Sequence, residues 1–309
     1  MQMEVLIIDN GILTYPVNKP YLWNGLFSVA KTNGSIIQYI HNCLKSYANV
    51  LFILPLRDGN VRKTQIEPYI QQAKEENKIL IVGTLGQVDE DPGINYMYIP
   101  LDDDFFENGT SAYFHPETLM SWDDRLPIAY WRGGCSGPCS TDCAGGCSHN
   151  CTGGGINSLR VRTTKELLHY EHADVKMTYY WRENKNIPDE YFGDRVDYSE
   201  LFKYKIFLII DGNVIASNHM WGFASGSVPF IISNAKCWFS PFLEPFVNYI
   251  PVAYDLSDLK EKIEWVVNND DKAKIIMQNA IQFANTVFSP EYQQKYIQDE
   301  IRRIVGHSI

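Results

Sequence analysis

The sequence predicts an α/β protein made of two successive βαβ halves, and three observations carry that expectation. The chain has 309 residues, beyond the roughly 100–200 that one core usually serves, so two domains are expected. Short apolar runs alternate with longer polar stretches of helical character, the rhythm of parallel βαβ units. That rhythm lapses in a Pro- and acid-rich passage from Tyr98-Ile99-Pro100 to Leu126-Pro127 and then resumes.

In the first half, strands are expected over residues 5–8, 50–54 and 79–82, with helices over residues 36–47 and 66–76 between them. The boundary is placed near Leu126, where the acidic passage ends and a strand over residues 128–131 opens the second half. Residues 133–155 are Gly-, Ser- and Cys-rich and supply no core. A helix over residues 158–170 follows, with Leu159, Val161, Leu167 and Leu168 as a partial apolar face. Next come a helix over 198–202, a strand over 206–210, the Asp211-Gly212 turn, a helix over 219–225 and a strand over 228–232. A strand over 249–252 and helices over 256–268 and 271–287 complete the second half. The polar helix expected over 290–305 is long enough to return to the first half.

Composition excludes some functions. With 45% hydrophobic and 21% charged residues the chain reads as folded, and a formal net charge of −10 without any basic run argues against nucleic acid as a partner. No stretch approaches the roughly 18–20 apolar residues of a membrane span. The first apolar run, Val5-Leu6-Ile7-Ile8, is too short for a signal peptide core and lacks basic flanks. A soluble, cytoplasmic chain without a transmembrane segment is therefore expected. The abundance of Ile, Asn and Lys points to an AT-rich genome such as that of a protist or a large virus.

Open parallel sheets bind ligands at the turns that leave the carboxyl ends of their strands, and two such turns stand out. In Leu56-Arg57-Asp58-Gly59 an apolar strand delivers a carboxylate to the sheet edge. Asp58 either takes a proton from a hydroxyl there or caps the next element. In Asp211-Gly212-Asn213 a glycine turn precedes Ser217, Asn218 and His219 at a helix start, a place suited to a diphosphate. Ser225-Gly226-Ser227 closes that helix, as part of the same site or simply as a helix stop. Arg132 and Gly133 end a strand, and Arg160 and Arg162 lie just past the Cys-rich segment; a cleft arginine among them could neutralise charge on a leaving nucleotide, or these are surface or domain-bridging arginines.

Two further features keep several readings open. Asp102-Asp103-Asp104 contains the Asp-x-Asp by which a divalent ion is held against a diphosphate, and is equally an acidic solvated loop. Cys135, Cys139, Cys143, Cys147 and Cys151 recur every four residues, too regular and too odd in number for a zinc ribbon. A repeat-expanded loop, a metal-loaded interaction loop and disulfides all fit that comb.

Taken in order, Lys203–Asn213, Ala224-Ser225-Gly226-Ser227-Val228, Tyr249-Ile250-Pro251-Val252, Asp255–Leu259, Trp265 and Asn269-Asp270 resemble glycosyltransferase family 90, the capsule-associated and protein O-glucosyltransferases. Upstream, Tyr130-Trp131-Arg132-Gly133 and Leu56-Arg57-Asp58 resemble the family's aromatic-Arg-Gly strand and Arg-Asp turn. The resemblance implies a GT-B fold of two facing Rossmann-like domains: an acceptor side over residues 1–126 joined by the C-terminal helix 289–309, and a donor side over 127–288. It implies transfer of glucose or xylose with inversion from a UDP-sugar co-substrate to a glycan or protein acceptor, without metal or other cofactor. Asp58 becomes the general base. Arg132, Gly133, Arg160, Gly212, Ser217, Asn218, His219, Ser225, Gly226 and Ser227 become donor-site residues. The chain departs from its relatives in reading Ser217-Asn218-His219 where they carry an arginine, which leaves His219, Arg160 or Arg162 to replace it. A metal-dependent transferase using Asp102 and Asp104 and a non-catalytic sugar-nucleotide or glycan binder remain the alternatives.

Overall fold

The computed structural model describes residues 5–14, 36–55, 63–86, 91, 93–100, 119–136, 157–179, 187–212, 216 and 218–306. The chain divides into two compact units, Met1–Ala112 with Lys236–Pro241 and Val287–Ile309, and Tyr113–Ala235 with Phe242–Thr286. Each contains one five-stranded sheet. Among the described residues no helix is long and apolar enough to cross a membrane.

In the first unit the sheet order is β2-β1-β3-β4-β5, from β1 (Val5–Asp9), β2 (Ile12–Thr14), β3 (Val50–Pro55), β4 (Ile79–Thr84) and β5 (Asn95–Tyr98). The all-parallel pairing expected here is corrected at its start, since β1 runs antiparallel to both β2 and β3. The cause is local. Asn10 and Gly11 take φ +47° and +76°, both left-handed, which makes a two-residue hairpin turn that reverses the chain directly after β1. Strand β2, not β1, therefore precedes α1 (Ile36–Leu44), and β3, β4 and β5 continue in parallel, with α2 (Lys63–Glu75) between β3 and β4. Helix α1 buries Ile36, Ile37, Ile40 and Leu44, the spacing of one helical face. The final helix α7 (Pro290–Gly306) packs Ile297, Ile301, Ile304 and Val305 into the same cluster as Leu6, Ile8 and Phe52. Its Tyr296 hydroxyl donates to the Tyr98 carbonyl at 2.9 Å.

In the second unit β6 (Leu126–Gly134), β7 (Ala173–Tyr179), β8 (Tyr204–Ile210), β9 (Val228–Ile232) and β10 (Ile250–Pro251) pair in parallel in the order β10-β9-β8-β6-β7. The chain starts in the middle at β6, steps out to β7, and returns past β6 to β8. A doubly wound sheet of this order has its topological switch point between β6 and β8, where ligands bind such sheets. Strand β7 went unexpected although Val175 and Met177 alternate with Asp174 and Lys176 and are buried. Helix α3 (Leu159–Leu167) is capped by Ser158, whose hydroxyl accepts from the Val161 amide. The helix expected over 198–202 is a 3-10 turn, Tyr198–Lys203. Helices α4 (His219–Ala224), α5 (Leu259–Asn268) and α6 (Asp270–Val287) complete the unit. One face of the sheet carries the main core: Trp131, Leu208 and Phe230 lie level on adjacent strands and belong to one buried cluster with Leu159, Ile263 and Ile276.

Candidate functional site

A cavity of about 890 Å³ lies against the second sheet, lined by Tyr130 to Gly134 of β6 together with Arg160, Arg195, Phe207, Asn218 and Trp221. All of these residues belong to the second unit. The cavity is thus built on the carboxyl half of β6, at the switch point.

Alternation along β6 sends Tyr130 and Arg132 to one face and Trp131 and Gly133 to the other. Tyr130 stacks on Tyr204, the ring centres 4.3 Å apart and nearly parallel, and the Arg132 guanidinium sits 4.8 Å from the Tyr130 ring centre. Arg132 is held by the neighbouring strand: one terminal nitrogen donates to both carboxylate oxygens of Asp174 at 2.7 and 2.9 Å, and the other to the Asp174 and Trp131 carbonyls at 3.0 and 3.1 Å. Among the described residues, its Nε and the Tyr130 hydroxyl are buried without a hydrogen-bond partner. Burial pushes the Tyr130 phenol well above its ordinary range. Gly133 has no alternative, because a Cβ there would lie 2.5 Å from the Trp131 ring.

Arg160, from the first turn of α3, ties two strand ends together. It donates to the Ile210 carbonyl at 3.1 and 3.3 Å, to the Gly134 carbonyl at 3.1 Å and to the Ser136 hydroxyl at 2.8 Å. Gly212 packs beneath it, since a Cβ there would meet Arg160 Nη2 at 3.0 Å. Arg162 donates to the Tyr254 carbonyl at 3.2 Å. Asp211 is buried and accepts from the Ser233 hydroxyl; removal from water pushes its carboxyl up to about 7 despite that donor and the nearby Arg160. Asn218 occupies the N-cap position of α4 but makes no cap with its side chain, and its Oδ1 is buried without a partner. His219 is 1% exposed and its Nδ1 lies 2.6 Å from the Ala216 carbonyl, so this nitrogen carries the proton.

The structure brings together Arg132, Gly133, Arg160, Gly212, Asn218 and His219 around the ends of β6 and β8. It places Ser225, Gly226 and Ser227 elsewhere, at the amino edge of the sheet where β9 begins. Their reading as a helix stop is the one seen: Gly226 has φ +77° and follows the last residues of α4. Around them folds Arg125, 4% exposed, which donates to the Ser225 carbonyl at 2.9 Å, the Ser227 hydroxyl at 3.3 Å and the Tyr204 carbonyl at 3.4 Å. Among the described residues no carboxylate pairs with it, and burial pulls that guanidinium down to about 10. Asp58, Ser217, Asp102, Asp104 and Cys139 to Cys151 lie outside the described residues. Cys135 is buried in the core at the end of β6.

Sequence reasoning passed over Asp174 and Arg195 and took Tyr130 only as part of the aromatic-Arg-Gly strand. The alternation of β7 would have located Asp174 beside β6; nothing in the local sequence marks Arg195. As a whole the cavity offers aromatic walls for a flat ring and N–H and O–H donors for an oxygen-rich group.

The comparisons bear on this geometry. A solved glycosyltransferase from Rickettsia africae ESF-5 aligns over 80% of this chain and 77% of its own at 12% identity, with a TM-score of 0.45. Protein O-glucosyltransferase 2 of Danio rerio is 39% identical over 94 residues, 29% of this chain and 18% of that protein. Uncharacterized protein 179R of Invertebrate iridescent virus 6 is 38% identical over 108 residues, 32% of this chain and 9% of that protein. The chain thus spans a fifth or less of the length of these curated relatives. The family model described as Glycosyl transferase family 90 matches residues 110–302, more than half of the chain and all of the second sheet, and by that match the chain belongs to glycosyltransferase family 90.

Proposed function

We propose that the chain is an inverting glycosyltransferase of the GT-B class that moves glucose or xylose from a UDP-sugar to a hydroxyl of a glycan or protein acceptor. The observation that carries this reading is the aromatic, arginine-lined cavity at the switch point of a doubly wound sheet, in a chain of this family. Donor binding falls to the second unit. The resemblance of Leu56-Arg57-Asp58 to the family's turn assigns the base to Asp58.

In the reaction the Asp58 carboxylate removes the proton of the acceptor hydroxyl as its oxygen attacks the anomeric carbon from the side opposite the nucleotide. The new C–O bond forms while the bond to the diphosphate oxygen breaks, and UDP leaves with both electrons. N–H donors of the cavity stabilise the departing charge, and no divalent ion takes part.

The test is UDP release from a panel of UDP-sugars, with and without EDTA, for the native chain and for Asp58→Asn. Turnover of one UDP-hexose or UDP-pentose that resists EDTA, falls at least about 100-fold in Asp58→Asn and leaves UDP binding unchanged is the expected result. Turnover abolished by EDTA would transfer the role to a metal held by Asp102 and Asp104. Binding of UDP without turnover of any donor would make the chain a binding protein.

A further inference from the structure

Resting on the sugar-nucleotide reading of the cavity, we propose that Arg195 is its ligand-facing cation and holds the diphosphate of the donor, while Arg132 and Arg160 are scaffold. The three arginines line one cavity but differ in what they already hold. Arg132 is saturated at its terminal nitrogens by Asp174 and two carbonyls, and Arg160 spans the Ile210 and Gly134 carbonyls and the Ser136 hydroxyl. Arg195 is exposed and, among the described residues, makes no ion pair or hydrogen bond. It follows Gly193, whose amide donates to the Met177 carbonyl at 2.8 Å, so the segment is anchored to the edge strand β7 just before Arg195 leaves it.

What surrounds Arg195 determines the class of ligand. The Tyr130 hydroxyl and Arg132 Nε are buried without partners, and both residues line the same cavity. Among the described residues, Arg132 Nε can only donate, the Tyr130 hydroxyl can donate or accept, and Asn218 Oδ1 can accept; the exposed Asp197 carboxylate, which also lines the cavity, accepts from the Ser199 amide at 2.9 Å. A buried donor without a partner is unfavourable until an acceptor arrives, and an uncommitted guanidinium lining the same cavity as two such groups suits an anion with many oxygens. A diphosphate supplies them, and Asn218 Oδ1 and the aromatic walls are left for the nucleoside.

The test is calorimetric titration of the native chain, Arg195→Ala and Arg195→Lys with UDP, uridine and inorganic pyrophosphate, with thermal melts to confirm that each variant is folded. Loss of a charge-assisted contact corresponds to about a 10- to 100-fold weaker association. That loss is expected in Arg195→Ala for UDP and pyrophosphate, with uridine unchanged and Arg195→Lys intermediate. UDP binding as tight in Arg195→Ala as in the native chain would overturn the assignment and leave the sugar-nucleotide reading intact. Arg195-dependent binding of pyrophosphate, with UDP no tighter and uridine unbound, would keep the anion site and overturn the nucleotide. A native chain that binds none of the three probes refutes both.

Discussion

Gly226→Ala isolates the question of whether Ser225-Gly226-Ser227 holds ligand or structure. At φ +77° an alanine is in the left-handed region, which costs about 1–2 kcal/mol. Its Cβ would also lie 2.6 Å from Arg125 Nη2, so the guanidinium must move. That nitrogen donates to the Ser225 carbonyl at 2.9 Å, and a hydrogen bond to a buried charged group contributes about 1.5–3 kcal/mol. The two terms together predict a loss of about 2.5–5 kcal/mol. Equilibrium urea unfolding of the full chain, fitted with one transition for each unit, measures it in the second unit. In an Arg125→Met background the same substitution retains only the backbone term, so the double-mutant cycle yields a coupling of about 1.5–3 kcal/mol. A coupling below about 0.5 kcal/mol, within ordinary additivity, would refute the packing argument. UDP affinity per folded molecule should stay unchanged; a tenfold fall would return the segment to the ligand site.

The remaining predictions concern the cavity and its floor. Tyr130→Phe removes a buried hydroxyl without a partner, so it should stabilise the unliganded chain by about 1 kcal/mol in urea unfolding while weakening UDP binding in titration; destabilisation would mean the hydroxyl already has an acceptor. Asp211 has its carboxyl raised to about 7 by burial, so the folded state keeps a proton that the unfolded state releases near its ordinary carboxylate range. Its contribution is then fully present below about pH 4 and is lost as pH rises to about 7. Asp211→Asn should flatten that decline in a pH series of unfolding midpoints, and an unchanged slope would show that Asp211 is ionised throughout.

Much of the second unit's fold is legible along the chain because its signals are local. The apolar run Ile206–Ile210, the turn at Asp211-Gly212 and the run Val228–Ile232 are each set by side chains within a few residues, and the structure has strands at both runs. Strand β7 was passed over because Asp174 and Lys176 dilute its apolar content, although the period of two is present. The direction of β1 was misjudged because the expectation followed the strand–helix rhythm and overlooked the Asn10-Gly11 pair, whose tolerance of positive φ reverses the chain. Ser225-Gly226-Ser227 carries two readings in the sequence for a different reason: a helix-ending glycine and a ligand-binding glycine look alike in one dimension. Only the partner, here Arg125 from the start of β6, distinguishes them.

By itself the sequence determined the α/β class, most of the strands and helices, and a resemblance that the family match bears out, all of which follow from periodicity and from ordered local motifs. Only the tertiary structure decided which arginines are committed. Arg132, Arg160 and Arg195 are chemically identical in the sequence, and they differ because parallel pairing sets Asp174 beside β6 and α3 carries Arg160 to the ends of β6 and β8. Whether a charge is spent on a neighbour or kept for a ligand depends on contacts between residues tens of positions apart, and those exist only once the chain has folded.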